Sequence, residues 1–264
     1  MKTIIQTWSL QFKNLKSTKH DGRFGLGDII RGTIALYQIC KKYNYNYVVD
    51  IQLHPISNFL EVEKNKYSDL ILENKDNINF IYPNNIENFI TNNDDNIIML
   101  FSNVHLIHDI TDDCKSFIKN ILKPNLEFKK YIDLTINKLS FKLDSVLHYR
   151  IAGINGDQKQ FFKRINYIEY LNHVMKHKKE NDILITDNLG FKEHIRQKNI
   201  DVFMFDIKIA HLGYDTNLDG IKDTLLEFFI MTKSEKIKYH PTNGPSGFIK
   251  IINYIWDIPL IKLV

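Results

Sequence analysis

Cysteine is scarce. Cys40 and Cys114 are the only two in 264 residues, and neither sits in a C-x-x-C spacing, which excludes a disulfide framework and a cysteine-based metal site. They read as reduced, buried residues of an intracellular protein. No run approaches the roughly 18 apolar residues that a membrane helix needs, and Met1 to Leu10 is too short and too polar for a signal-peptide core. The expectation is a cytoplasmic chain without a transmembrane segment. Basic blocks are missing as well. The 35 Lys and Arg against 31 Asp and Glu leave a net +4 spread in mixed-sign clusters, which argues against nucleic acid as a partner. The phosphate loop G-x-x-x-x-G-K-S/T of many kinases is absent. What is present is a globular composition, 44% hydrophobic, enough for one large domain or two of about 130 residues each.

The densest cluster of glycine organises the chain. Asp21-Gly22-Arg23-Phe24-Gly25-Leu26-Gly27-Asp28-Ile29-Ile30-Arg31-Gly32 precedes an apolar-periodic run from Thr33 to Tyr43, with helix spacing at Ile30, Ile34, Leu36, Tyr37 and Cys40. Closely spaced glycines let the backbone bend tightly and approach a ligand. The expectation is a loop that leads to a helix N-terminus, where unpaired amides and the positive end of the dipole suit a phosphate or an oxyanion. Arg23 and Arg31 add charge at its edges. A tight turn before a core helix is the plainer reading of the same residues.

An α/β alternation follows. Asn46 to Ile51 reads as a buried parallel strand, Tyr67 to Leu72 as a helix, Ile78 to Tyr82 as a strand stopped by Pro83, and Ile97 to Phe101 as another buried strand. Asn92 to Asn96 reads as a surface turn. His105 and His108 have a metal-like spacing with no third ligand placed to complete it, and read as loop residues. Helices are expected over Asp112 to Leu122 and Phe128 to Leu139, with a soft boundary between two halves, 1–140 and 141–264.

The second half carries the more pointed chemistry. Asp144 to Arg150 reads as a strand, and alternation puts His148 and Arg150 on one face at the carboxyl end, where open α/β sheets bind ligands. An Arg there can fork onto a diphosphate, and a His can donate to the same group; a structural ion pair is the alternative for Arg150. After a loop with Gly153, Gly156 and Asp157 and a helix over Ile165 to His177, Asp182 to Asn188 is the best strand of the chain. It ends in Asp187 and Asn188, and Asp187 is placed either to accept from a ribose or base edge or to cap the helix from Phe191 to Lys198. Asp201 to Phe205 and Lys236 to Tyr239 read as strands, and Ile221 to Thr232 as an apolar helix. His240-Pro241-Thr242-Asn243-Gly244-Pro245-Ser246-Gly247-Phe248 is a second small-residue loop into a helix ending at Trp256. The amides around Ser246 to Phe248 and the Ser246 hydroxyl form an anion cradle there. A closing strand runs over Leu260 to Val264.

Taken in order, these motifs resemble the fucosyltransferase superfamily of GT-B glycosyltransferases: the nodulation, core and protein O-fucosyltransferases. Gly25-Leu26-Gly27-Asp28, a helix and Val48-Val49-Asp50 resemble its N-terminal loop, helix and strand, and Val146 to Arg150 resembles its H-x-R motif. Leu184-Ile185-Thr186-Asp187 is similar to its strand ending in Thr-Asp, Asp223 to Thr232 to the helix that follows, and Pro245-Ser246-Gly247-Phe248 to its phosphate loop. The chain departs from the pattern at Ile151-Ala152-Gly153 and at Gly247, where the family has a second Ser. The resemblance implies an α/β chain of GT-B type, two facing Rossmann-like domains with mostly parallel sheets, the first on the acceptor side and the second binding a nucleotide sugar. It implies metal-independent, inverting transfer of a sugar, foremost fucose from GDP-fucose, to a hydroxyl of a glycan or glycoconjugate, and the D-x-D pair of metal-dependent glycosyltransferases is absent. Arg150 would meet the charge of the leaving diphosphate. His148, Asp187, Asn188, Asn243, Ser246, Gly247 and Phe248 would complete the donor site. Arg23, Gly25, Gly27 and Arg31 would line the acceptor side, with Asp28 as candidate base. The rival readings are a non-catalytic nucleotide-sugar-binding protein on the same scaffold, a phosphate-handling enzyme such as a kinase, and a structural module.

Overall fold

The computed structural model describes residues 1–10, 25–103, 109–151, 166–208, 210, 212, 216–241 and 244–264. The elements in chain order are β1 (Thr3–Thr7), α1 (Leu26–Tyr43), β2 (Asn46–Asp50), α2 (Ser68–Glu73), β3 (Asn79–Phe80), α3 (Ile86–Asn92), β4 (Ile97–Phe101), α4 (Asp112–Ile121) and α5 (Leu126–Asn137). They continue as β5 (Ser145–Tyr149), α6 (Tyr167–His177), β6 (Asp182–Thr186), α7 (Leu189–Gln197), α8 (Leu218–Met231), β7 (Lys236–Tyr239), α9 (Gly247–Trp256) and β8 (Leu260–Lys262). The chain divides into two compact units, Met1–Tyr131 with His211–Lys222, and Ile132–Ala210 with Asp223–Val264. Two of the three divisions fall inside α5 and α8, where no change of composition marks them, and the third falls between Ala210 and His211.

The first unit is built on a parallel sheet in the order β2-β1-β4-β3. One of its two interior strands, β1, is the short run Thr3-Ile4-Ile5-Gln6-Thr7, all five residues buried. Nothing in the sequence reading anticipated it, because both of its faces are covered and no polar alternation marks a strand of that kind. Ile4 packs with Leu36, Ile39, Ile86, Ile90, Ile98 and Leu100 in the core under α1 and α3. At this depth each such side chain stabilises by about 1.5–3 kcal/mol relative to exposure.

Helix α1 corrects the reading of the glycine cluster. The helix begins at Leu26, with Gly25 as its extended N-cap residue and Asp28 in the first turn, where the dipole favours an anion. Gly27, Asp28, Arg31 and Gly32 therefore belong to the helix rather than to a loop. Gly32 is there because α1 lies against the end of β4: a Cβ at this position would sit 1.9 Å from the Ser102 carbonyl oxygen and 3.0 Å from the Asn103 Cα. Both are backbone atoms, so relief requires moving an element. Gly32→Ala is expected to destabilise the chain by at least about 1–3 kcal/mol, the scale of core overpacking; a urea midpoint unchanged from the native value would contradict the close approach.

The second unit holds a parallel sheet in the order β6-β5-β7-β8. On one face α6 and α7 bring Leu171, Val174, Phe191 and Ile195 against Leu147, Tyr149 and Leu184. The expected strand over Asp201 to Phe205 is reduced to one parallel bridge between Ile183 and Phe203, and the strand over Ile78 to Tyr82 to the two residues of β3. Order matters more than length here. The chain leaves β5 for β6 on one side and afterwards returns to β7 on the other, so the carboxyl ends of β5 and β7 flank the topological switch point, where ligands of open α/β sheets bind.

Candidate functional site

Arg150 follows the last residue of β5, its side chain 46% exposed, and its Nε lies 3.9 Å from Oδ2 of Asp187, which follows β6. The other Asp187 oxygen, Oδ1, accepts from the backbone N–H of Ile151 at 2.7 Å. Two neighbouring strand ends are thus tied by one carboxylate. Burial of that carboxylate raises the Asp187 pKa, and Arg150 and the Ile151 amide oppose the rise. Water still reaches 35% of the side chain and screens its charge.

The cap of α7 differs from the expectation. Asn188, not Asp187, is the N-cap, its Oδ1 accepting from the Phe191 N–H at 2.8 Å and from the Tyr167 hydroxyl at 3.1 Å. Asp187 is thereby left to the strand-end bonds described above. Asn188 is 1% exposed and its Nδ2 has no partner, and the Thr186 hydroxyl one pair earlier is also buried without one. Unmet donors at a strand end carry a penalty of about 1–3 kcal/mol each unless a ligand or water meets them.

His148 shares the Arg150 face but lies deeper, 8% exposed. Desolvation, with the Arg150 charge second, lowers its pKa to about 3. The unfolded chain, with a His pKa of about 6.5, takes up the proton first. The neutral ring therefore contributes stability that is present above that value and is lost as pH falls toward the folded value. His54 in the first unit, lowered to about 4 by burial, acts in the same direction. The urea midpoint of His148→Gln is expected to fall less steeply between about pH 7 and about pH 4 than that of the native chain; parallel slopes would show that His148 is not held neutral.

Across the switch point, β7 runs to Tyr239 and the chain re-enters helix at α9. Ser246 is the N-cap, its hydroxyl accepting from the Ile249 N–H at 3.4 Å, and Gly247 and Phe248 form the first turn. First-turn amides of a helix have no intrahelical acceptor, and with the dipole they favour an anion. Arg150, Asp187, Asn188 and Ser246 to Phe248 therefore share one edge of one sheet. In the first unit, Gly25 and Gly27 stand at the start of α1 and Arg31 ion-pairs with Asp28 through Nη2 and Oδ1, its Nε donating to the Gly27 carbonyl at 3.2 Å. Arg23, Asn243, His105, His108, Gly153, Gly156 and Asp157 lie outside the described residues.

Several groups at the second edge were not singled out from sequence. Tyr167 reaches Asn188 from α6, and Glu227 on α8 is buried in an ion pair with Lys192, Nζ to Oε1 3.3 Å. Burial raises the Glu227 pKa to about 7, opposed by Lys192. A carboxylate on a strongly apolar helix was the available signal for Glu227; Tyr167 gave none. Among the described residues no group of three or more His, Cys, Asp or Glu side chains is arranged to hold a metal, and no helix is long and apolar enough to cross a membrane.

No protein-family model and no curated protein matches the sequence. Solved structures do. The NodZ α-1,6-fucosyltransferase soaked with GDP-fucose aligns over 96% of this chain and 92% of its own at 13% identity and a TM-score of 0.56. Fucosyltransferase NodZ from Bradyrhizobium gives the same coverage at 12% identity and a TM-score of 0.57. A mutant of Arabidopsis thaliana FUT1 in complex with GDP aligns over 98% of this chain and 70% of its own, at 9% identity and a TM-score of 0.54. Two parallel sheets flanked by helices, matched over nearly the whole chain, give this protein the GT-B-like α/β fold of those fucosyltransferases.

Proposed function

We propose that this chain is a glycosyltransferase that moves a sugar from a nucleoside-diphosphate donor, GDP-fucose foremost, to an acceptor hydroxyl with inversion and without a metal. The observation that carries the reading is the switch point of the second sheet, whose flanking strands lead to Arg150 on one side and to the Ser246-capped α9 on the other. The acceptor oxygen would attack the anomeric carbon while the bond to the β-phosphate oxygen breaks and its electron pair leaves with the nucleoside diphosphate. The charge that develops there is the main electrostatic demand. A guanidinium fork and helix-start amides meet it. Asp187 and Asn188 beside them supply an acceptor and an unmet donor for the rest of the nucleotide. The hydroxyl proton would pass to a base, for which Asp28, engaged by Arg31, stays the candidate. Fucosyltransferases of the same fold, solved with GDP or GDP-fucose, favour this donor.

Thermal unfolding with GDP and with UDP tests the nucleotide. A ligand at ~100 times its Kd stabilises the native state by about 2.7 kcal/mol, so GDP is expected to raise the melting temperature by several degrees and UDP by less. No shift with either contradicts the proposal. A shift with GDP but no release of GDP from GDP-fucose, in a screen that includes glycan acceptors, leaves the non-catalytic binding reading in its place.

A further inference from the structure

On the helix-covered face of the second sheet, His173 and His177 stand one turn apart on α6, their ring centroids 4.4 Å apart. Residues four apart on a helix share a face, the spacing by which two imidazoles reach one metal ion. Both rings are held from outside the pair. His173 Nδ1 shares a 2.7 Å hydrogen bond with the Tyr149 hydroxyl, and the backbone of Val264 hydrogen-bonds the His177 ring. Nε2 of His173 and Nε2 of His177 are both shielded from solvent and both lack a partner. In the tautomer that donates the His173 Nδ1 proton to that hydroxyl, His173 Nε2 bears a lone pair, and His177 offers one from Nε2 in the same tautomer. Histidines that ligate metals are oriented in this way, by a hydroxyl, carboxylate or carbonyl on the other ring nitrogen.

We infer that His173 and His177 form a two-histidine site for a late divalent transition metal, with Cu2+ bound most tightly and Ni2+ and Zn2+ less so. Two imidazole nitrogens suit those ions and not Mg2+ or Ca2+, which take oxygen ligands. Lys176 and Lys238 add positive charge near His177, so the site selects by affinity for imidazole and not by attraction of charge. His240 packs edge-on against His173, ring centroids 4.3 Å apart, and among the described residues these rings do not make a three-residue ligand group. Neither histidine is among the groups assigned to the donor, so the inference does not depend on the proposed activity.

Titration of the full-length chain with Cu2+, followed by visible absorption and electron paramagnetic resonance, tests the inference. The expected result is one tight equivalent with a spectrum of nitrogen ligation. His177→Gln, at the half-exposed end of α6, is expected to weaken binding at least ~10-fold, the lower scale for disturbing a metal's immediate support. His173→Gln is expected to do the same. His194→Gln serves as the control, because its Nε2 is also buried and unpartnered but lies on a different helix, α7. Binding that is absent in the native chain, that survives His177→Gln unchanged, or that falls equally in His194→Gln overturns the assignment.

Discussion

Arg150→Ala is expected to lower turnover of the nucleotide sugar by a factor on the order of 100 or more, the scale for losing one group that stabilises developing charge. The side chain is 46% exposed and stands at the switch point, so its loss removes little packing. The change should therefore appear in kcat with the urea midpoint near native. Arg150→Lys keeps the charge and loses the fork that matches two phosphate oxygens, and should fall between the two. Single-turnover release of GDP from GDP-fucose measures the effect. A variant that turns over at close to the native rate removes Arg150 from the proposed mechanism, whatever its effect on KM.

The largest expected loss of stability comes from the opposite end of the same sheet. Asp182, 1% exposed at the start of β6, accepts from Lys238 Nζ at 3.0 and 2.8 Å, from the Ser145 hydroxyl, and from the Lys179 backbone N–H at 2.8 Å. Lys238 on β7 has a side chain only 7% exposed. Asp182→Ala leaves that ammonium buried without its counter-charge and the Lys179 amide without an acceptor. A cost of about 3–5 kcal/mol follows, the usual scale for breaking a buried pair from one side. Removing both charges, in Asp182→Leu with Lys238→Met, should recover much of the loss, because a buried pair adds little over a well-packed apolar one. Urea unfolding of the two variants decides it. A single variant within about 1 kcal/mol of native, or a double variant no better than the single, would falsify the account of the network.

Legibility from sequence followed how local the cause was. The runs Ile97 to Phe101, Asp182 to Thr186 and Lys236 to Tyr239 are apolar or β-rich and bounded by turn residues, and each appears as a strand within a residue or two of its reading. The placement of Arg150, Asp187 and Ser246 at carboxyl strand ends or a helix start was also legible, because it depends only on where a strand stops and a helix begins. The start of α1 was misread for the same reason in reverse. Gly27 and Gly32 look like loop residues locally, but the need for Gly32 lies 70 positions away at Ser102. Asp187 and Asn188 could not be told apart as helix caps from spacing alone; the bond from Ile151 to Asp187 decides between them.

Sequence by itself thus determined the α/β class, most elements of the second sheet, and the identity of the charged and small residues at its carboxyl edge. Only the tertiary structure decided that β1 is an interior strand of the first sheet, that β5 and β7 are neighbours, and that His148 is neutral and buried beneath an exposed Arg150. The division has a physical cause. Hydrophobic period and turn chemistry act over a few residues and are written locally, whereas strand order, burial and the pairing of charges are set by segments far apart in the chain that meet only when the core closes.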